Sequence, residues 1–85
     1  MARFIWTDHA ELRLAQRGLT THEVEEAVRD LHQDRQANKG DADWRVEGAR
    51  ADGRRFAVIY DCPAGGSDNV ARVVSVWILR GGSHF

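Results

Sequence analysis

The chain has 85 residues, with 12 Lys and Arg against 13 Asp and Glu, a formal net charge of −1 and a single cysteine. That length fits one domain around one modest core. Interspersed charges exclude a disordered segment, the near-neutral balance excludes the overall basic signature of a nucleic-acid binder, and the lone Cys62 excludes an internal disulfide. No apolar run approaches membrane-spanning length and the N-terminus has no signal-type apolar region, so the expected setting is the cytoplasm, with no membrane partner.

In chain order, Arg3 to Trp6 reads as a short strand at a sheet edge. Thr7 or Asp8 caps a first helix over residues 8–17, in which Ala10 and Leu14 share a side while Leu12 and Ala15 face elsewhere. Gly18 suits the left-handed residue that ends this helix. Thr20 with Glu23 forms a capping box for a second helix over 21–33. The turn between the helices is so short that they must lie against each other. In the second helix Val24, Ala27, Val28 and Leu31 repeat at i, i+3, i+4, i+7, one buried stripe. Residues 34–43 are polar and read as a loop. Between residues 20 and 43 carboxylates outnumber cations seven to three. The basic remainder is almost all arginine, which favours bidentate contacts to phosphate or carboxylate.

Three strands close the chain. Trp44 to Arg50 alternates apolar and charged residues as far as Gly48, and Asp52-Gly53 signals a two-residue hairpin. Arg54 to Asp61 follows, with Phe56, Val58 and Tyr60 on one face and Arg55, Ala57 and Ile59 on the other. Cys62 to Asn69 is a Pro/Gly-rich turn. Val70 to Arg80 is nearly continuously apolar, on both faces, and belongs in the middle of a sheet or under two layers. Residues 81–85 read as a mobile tail after a single domain over 3–80. The order β-α-α-β-β-β predicts an α+β fold with two helices on one face of an antiparallel sheet.

These residues resemble a known family. His9-Ala10, Arg13, Arg17-Gly18-Leu19-Thr20 and Glu23-Val24 are similar to the opening motif of the domain of unknown function 4258 group. Gly53-Arg54-Arg55, Phe56 to Tyr60, and Val73-Val74-Ser75-Val76-Trp77 are similar to its strands, so the likeness spans residues 4–80. That group resembles the RelE/ParE superfamily of small toxins. The resemblance implies the β-α-α-β-β-β fold and an antitoxin partner. It also implies, as in many relatives, metal-independent cleavage of RNA, with RNA or the ribosome as a further expected partner; other relatives inhibit gyrase, and some have no known activity.

His9, Arg13 and Arg17 recur every fourth residue and project from one side of the first helix. Metal-independent RNA cleavage needs an acid or base, which a histidine supplies near neutral pH, and cations for the phosphorane, which arginines supply. His9, Arg13, Arg17 and Arg55 are therefore the catalytic candidates, against the plainer reading of a capping histidine and ion-paired arginines. Arg45, Trp77 and Arg80 are candidates for nucleic-acid contact, with Arg45, Arg55 and Arg80 forming an anion groove if they share the open sheet face. The plainer reading there is a solvated sheet with Glu47 paired across a strand. Tyr60 is expected in the core, and Ser75 to be structural. His22, His32 and His84 lack metal-site spacing, Cys62 reads as an inert thiol, and Gly65-Gly66 lacks the setting of a phosphate loop, so neither cofactor nor metal is expected.

Two functions follow. One is a toxin-like metal-independent endoribonuclease held inactive by an antitoxin. The other is a non-catalytic protein-binding module of the same fold, of gyrase-inhibitor type or a degenerate toxin, which the near-neutral charge favours. A third reading is self-association through the edge strand at Phe4-Ile5-Trp6.

Overall fold

A computed structural model describes residues 3–64 and 69–79. The elements are β1 (Arg3–Trp6), α1 (Asp8–Arg17), α2 (Thr21–Leu31), β2 (Gln36–Ala37), β3 (Trp44–Ala49), β4 (Arg55–Asp61) and β5 (Val70–Ile78), with one 3-10 turn at His32–Asp34.

The helical hairpin is built by local chemistry. The Thr7 side chain accepts from the Ala10 amide and starts α1, and Gly18 at φ 68° ends it, its N–H bonding back to the last turn. At Thr20 both halves of the capping box form, with Thr20 Oγ1 accepting from Glu23 N at 3.1 Å and Thr20 N donating to Glu23 Oε1 at 3.0 Å. The α2 stripe packs as its period requires: Val24 and Val28 are fully buried, and Ala27 and Leu31 flank them. The helix stops at Leu31 and tightens into the 3-10 turn, two residues earlier than its pattern predicts.

The five strands run in the order β1-β5-β4-β3-β2. The β3, β4 and β5 meander is antiparallel, but β1 pairs parallel to β5, with Arg3 opposite Val70 and Trp6 opposite Val73. The sheet is therefore mixed, which corrects the expectation of an antiparallel one. The chain leaves β1 through two helices and three further strands before β5 returns beside it, so their relative direction is set by the path of the whole domain. A second correction is β2, inside the expected loop, where Gln36 and Ala37 pair with Arg45 and Trp44. A third is the hairpin loop. Arg50 N donates to Arg54 O at 2.7 Å and Gly53 N to Arg50 O at 3.0 Å, so Asp52-Gly53 closes a three-residue loop with Gly53 at φ 89°. Arg80 and the expected tail over 81–85 lie outside the described residues.

One face of the sheet meets the helices. Val46 of β3, Phe56, Val58 and Tyr60 of β4 and Ala71, Val73 and Val76 of β5 pack with Ala10, Leu19, Val24 and Val28. Each fully buried Val or aromatic residue contributes about 1.5–3 kcal/mol. The pairs Ile59–Ser75 and Tyr60–Val73 leave Val74 as an extra residue in β5. This bulge resets the alternation, so that both Val73 and Val76 point to the helices, and explains why β5 reads as apolar on both faces. It also presents the Val74 carbonyl to the start of α1, where Thr7 Oγ1 donates to it at 3.2 Å. No helix among the described residues is long and apolar enough to cross a membrane.

Candidate functional site

The opposite face of the sheet carries no helix. Alternation places Arg45 and Glu47 of β3, Arg55, Ala57 and Ile59 of β4, and Ser75 and Trp77 of β5 on it. Ala57 and Trp77 are cross-strand partners. The Arg45 guanidinium lies over the Trp77 ring, 5.3 Å from its centroid, and its Nη2 donates to Glu47 Oε2 at 2.9 Å. The second oxygen of Glu47 accepts from Arg55 Nη2 at 3.1 Å. One carboxylate thus bridges two arginines beside an aromatic ring. On the same face Ala57 is fully buried and Ile59 is 8 % exposed, although no helix among the described residues covers them. Farther along the same face Arg72 Nη2 donates to Asp61 Oδ2 at 2.6 Å. The face is charge-interleaved, since each of these three arginines holds a carboxylate.

The structure therefore brings Arg45, Arg55 and Trp77 together, and it also shows Glu47 paired across the strands. It does not bring the four catalytic candidates together. His9, Arg13 and Arg17 stand on α1, which lies on β5 from the helical side, whereas Arg55 stands on the uncovered face. His9 and Arg17 are exposed. Arg13 Nη1 donates to Gln16 Oε1 at 3.2 Å. Among the described residues the His9 side chain has no hydrogen-bond partner. Arg80 lies outside the described residues. The β1 edge, where a second copy was expected to pair, presents Ile5 at 48 % exposure.

A second polar cluster lies where α2 ends against β3 and β4. The Tyr60 hydroxyl is 2.7 Å from His32 Nδ1. Tyr60 is fully buried, and Nδ1 is the acceptor its hydroxyl meets among the described residues, so the phenol donates and the imidazole proton sits on Nε2. Burial above all, tempered by Arg35, pushes the phenol up to about 12. Burial first, then the Arg35 charge, holds His32 below its usual range. Arg35 donates from Nη1 to the His32 carbonyl at 2.9 Å and stacks 4.1 Å over the Trp44 ring, whose Nε1 donates to the Cys62 carbonyl at 3.2 Å. His32 repeats the spacing of Val24 and Val28, so its inward position is legible in the chain as a polar residue on an apolar stripe. The phenol acid is too weak and too buried for proton transfer at neutral pH, which makes the cluster a clasp between the helix end and the sheet.

Among the described residues, hollows border the free edge of β3 at two places. The larger, of about 350 Å³, lies between α2 and the hairpin end of β3; the smaller, of about 190 Å³, lies beyond it toward β2, and Leu31 lines both. Among the described residues no three His, Cys, Asp or Glu side chains gather as a metal-ion site.

No curated protein and no solved structure matches the chain. A family model does: that of the domain of unknown function DUF4258 covers residues 6–78, from the last residue of β1 to the last of β5. With nearly the whole described fold inside that match, the chain belongs to the DUF4258 family.

Proposed function

We propose that this chain is the toxin-like component of a cytoplasmic two-protein system, of RelE/ParE type, which acts by docking on a protein target and is neutralised by an antitoxin. The observation that carries this reading is the uncovered sheet face, where Trp77 lies beneath Arg45 and beside Arg55. Tryptophan and arginine are the side chains that most often dominate the binding energy of protein interfaces. Glu47 pairs with both Arg45 and Arg55, and Asp61 pairs with Arg72, so a phosphate would have to compete with a carboxylate at each guanidinium. A protein surface with its own acidic and basic groups fits such a mixed face better than a polyanion does.

The test is induced expression in a bacterial host with and without the neighbouring reading frame, with total RNA sized in parallel. Growth arrest with intact RNA, abolished by Trp77→Ala or Arg45→Ala and kept by His9→Ala, is the expected outcome. Unchanged arrest in both sheet-face variants refutes it.

A second reading, a metal-independent endoribonuclease, rests on the exposed His9, whose side chain has no hydrogen-bond partner among the described residues, with Arg13 and Arg17 in register along α1. RNA laid across that helix would meet an imidazole for proton transfer and two guanidiniums for the phosphorane. It requires RNA fragments ending in 2′,3′-cyclic phosphate in the presence of a chelator, and their loss in His9→Ala. In this reading Arg55, on the other layer, takes no part in the chemistry.

A further inference from the structure

We propose that the groove between α2 and the free edge of β3 takes an extended, basic segment of a partner protein, which adds to the sheet as a further strand. It is centred on a different surface from the uncovered face described above, sharing Arg45, Glu47 and Arg55 with it only in the smaller hollow, and it rests on three features that coincide.

The first is an unpaired edge. β2 pairs with β3 only at Trp44 and Arg45, so among the described residues nothing pairs with Val46 to Ala49 on that side. The Arg50–Arg54 hydrogen bond and the β3–β4 register turn the amides and carbonyls of Gly48 and Val46 toward β4. By the same alternation those of Glu47 and Ala49 point outward, in the spacing a new strand requires.

The second is the shape beside that edge. α2 comes so close to β3 at Gly48 that an added Cβ would stand 2.9 Å from Ala27 Cβ. Past this contact the helix flank overhangs the edge, and the hollow beneath it has Ala27, Leu31 and Phe56 as its apolar lining.

The third is charge. Glu26 and Asp30 line the same hollow from α2, while in the continuation toward β2 Asp34 and Glu47 are balanced by Arg45 and Arg55. Arg50, the cation of the larger hollow, is occupied by Glu23, with Nε donating to Oε2 at 2.9 Å. The Glu23 carboxyl is held below its usual range, first by the Thr20 amide. The surplus negative charge therefore lies on Glu26 and Asp30. In a strand added to β3, every second side chain points to the helical side, where these carboxylates stand. Arginine or lysine at alternate positions, with apolar residues between, is the sequence that satisfies the groove.

The proposal leans on the two-protein reading only for the partner's role, and its test uses direct binding. The probe is an alternating arginine–valine peptide of about ten residues, compared with a glutamate–valine peptide and with the basic peptide N-methylated at alternate backbone nitrogens. Binding of the basic peptide, slowed amide exchange at Glu47 and Ala49, and an affinity about tenfold weaker in the Glu26→Lys/Asp30→Lys variant are expected. Trp77→Ala should leave this binding unchanged, so failure of the docking-face reading and failure of the groove are told apart. Equal binding of the N-methylated peptide, equal binding of the acidic peptide, or protection confined to residues away from Val46–Ala49 overturns the proposal.

Discussion

Replacing Gly48 with alanine tests the close approach on which both the fold and the groove depend. A Cβ at this position would lie 2.7 Å from Phe56 Cζ and 2.9 Å from Ala27 Cβ, distances that real Cβ contacts do not tolerate. Neither neighbour yields cheaply. Phe56 is 1 % exposed and wedged in the core, and the Ala27 Cβ is fixed to the α2 backbone, so the helix itself must lift from β3. Overpacking of this kind costs about 1–3 kcal/mol. In a domain of this size each kcal/mol moves the melting temperature by about 4–8 °C, so Gly48→Ala should melt roughly 4–24 °C below the parent protein. Thermal and urea unfolding followed by circular dichroism measure it. Ala27→Gly costs about 0.5–1 kcal/mol alone as a helix glycine, but it removes one of the two clashes. The double variant should therefore be less destabilised than the sum of the singles by about 0.5 kcal/mol or more. A Gly48→Ala protein within about 0.5 kcal/mol of the parent, or strict additivity in the double variant, would refute the packing described here.

The His32–Tyr60 clasp makes stability pH-dependent. Because the folded imidazole is held below its ordinary 6.5, the unfolded chain binds the proton more readily. The stability that depends on neutral His32 is therefore complete above pH 6.5 and is lost as the pH falls through the lower folded value. The melting temperature should drop below pH 6.5, and His32→Gln should flatten that drop; an unchanged slope argues against the clasp. Tyr60 has the opposite sign, since its folded value of about 12 exceeds the ordinary 10.0, so its contribution is present below pH 10.0 and fades above it. Phenolate absorbance should stay absent at pH 10.0 in the folded protein and appear only toward 12 or on unfolding. Thr20→Ala removes the hydroxyl that accepts from Glu23 N while keeping the backbone N–H that donates to Glu23 Oε1, and should cost about 0.5–2 kcal/mol by urea midpoint. Gly18→Ala meets no atom within 4 Å but must hold φ 68°, so it should cost about 1 kcal/mol from backbone conformation alone.

What the chain determined unaided was everything that closes within a few residues. Gly18, Thr20 and Glu23 specify the helical turn because their hydrogen bonds span three or four positions. The Val24–Leu31 stripe specifies a buried helix face because a period of 3.6 admits one solution, and the alternation from Phe56 to Tyr60 separates the two faces of β4 for the same kind of reason. The tertiary structure alone decided what joins distant segments. β1 runs parallel to β5, 67 positions on at the pair Arg3–Val70, through burial and register that no local pattern encodes. The same long-range pairing sets Trp77 beside Arg45, leaves Arg55 on the other layer from His9, and brings Tyr60 to His32. An arginine's periodicity gives its side of a strand or helix, but whether it meets a tryptophan, a carboxylate or water depends on which strand lies next to it, and that is settled only when the core closes.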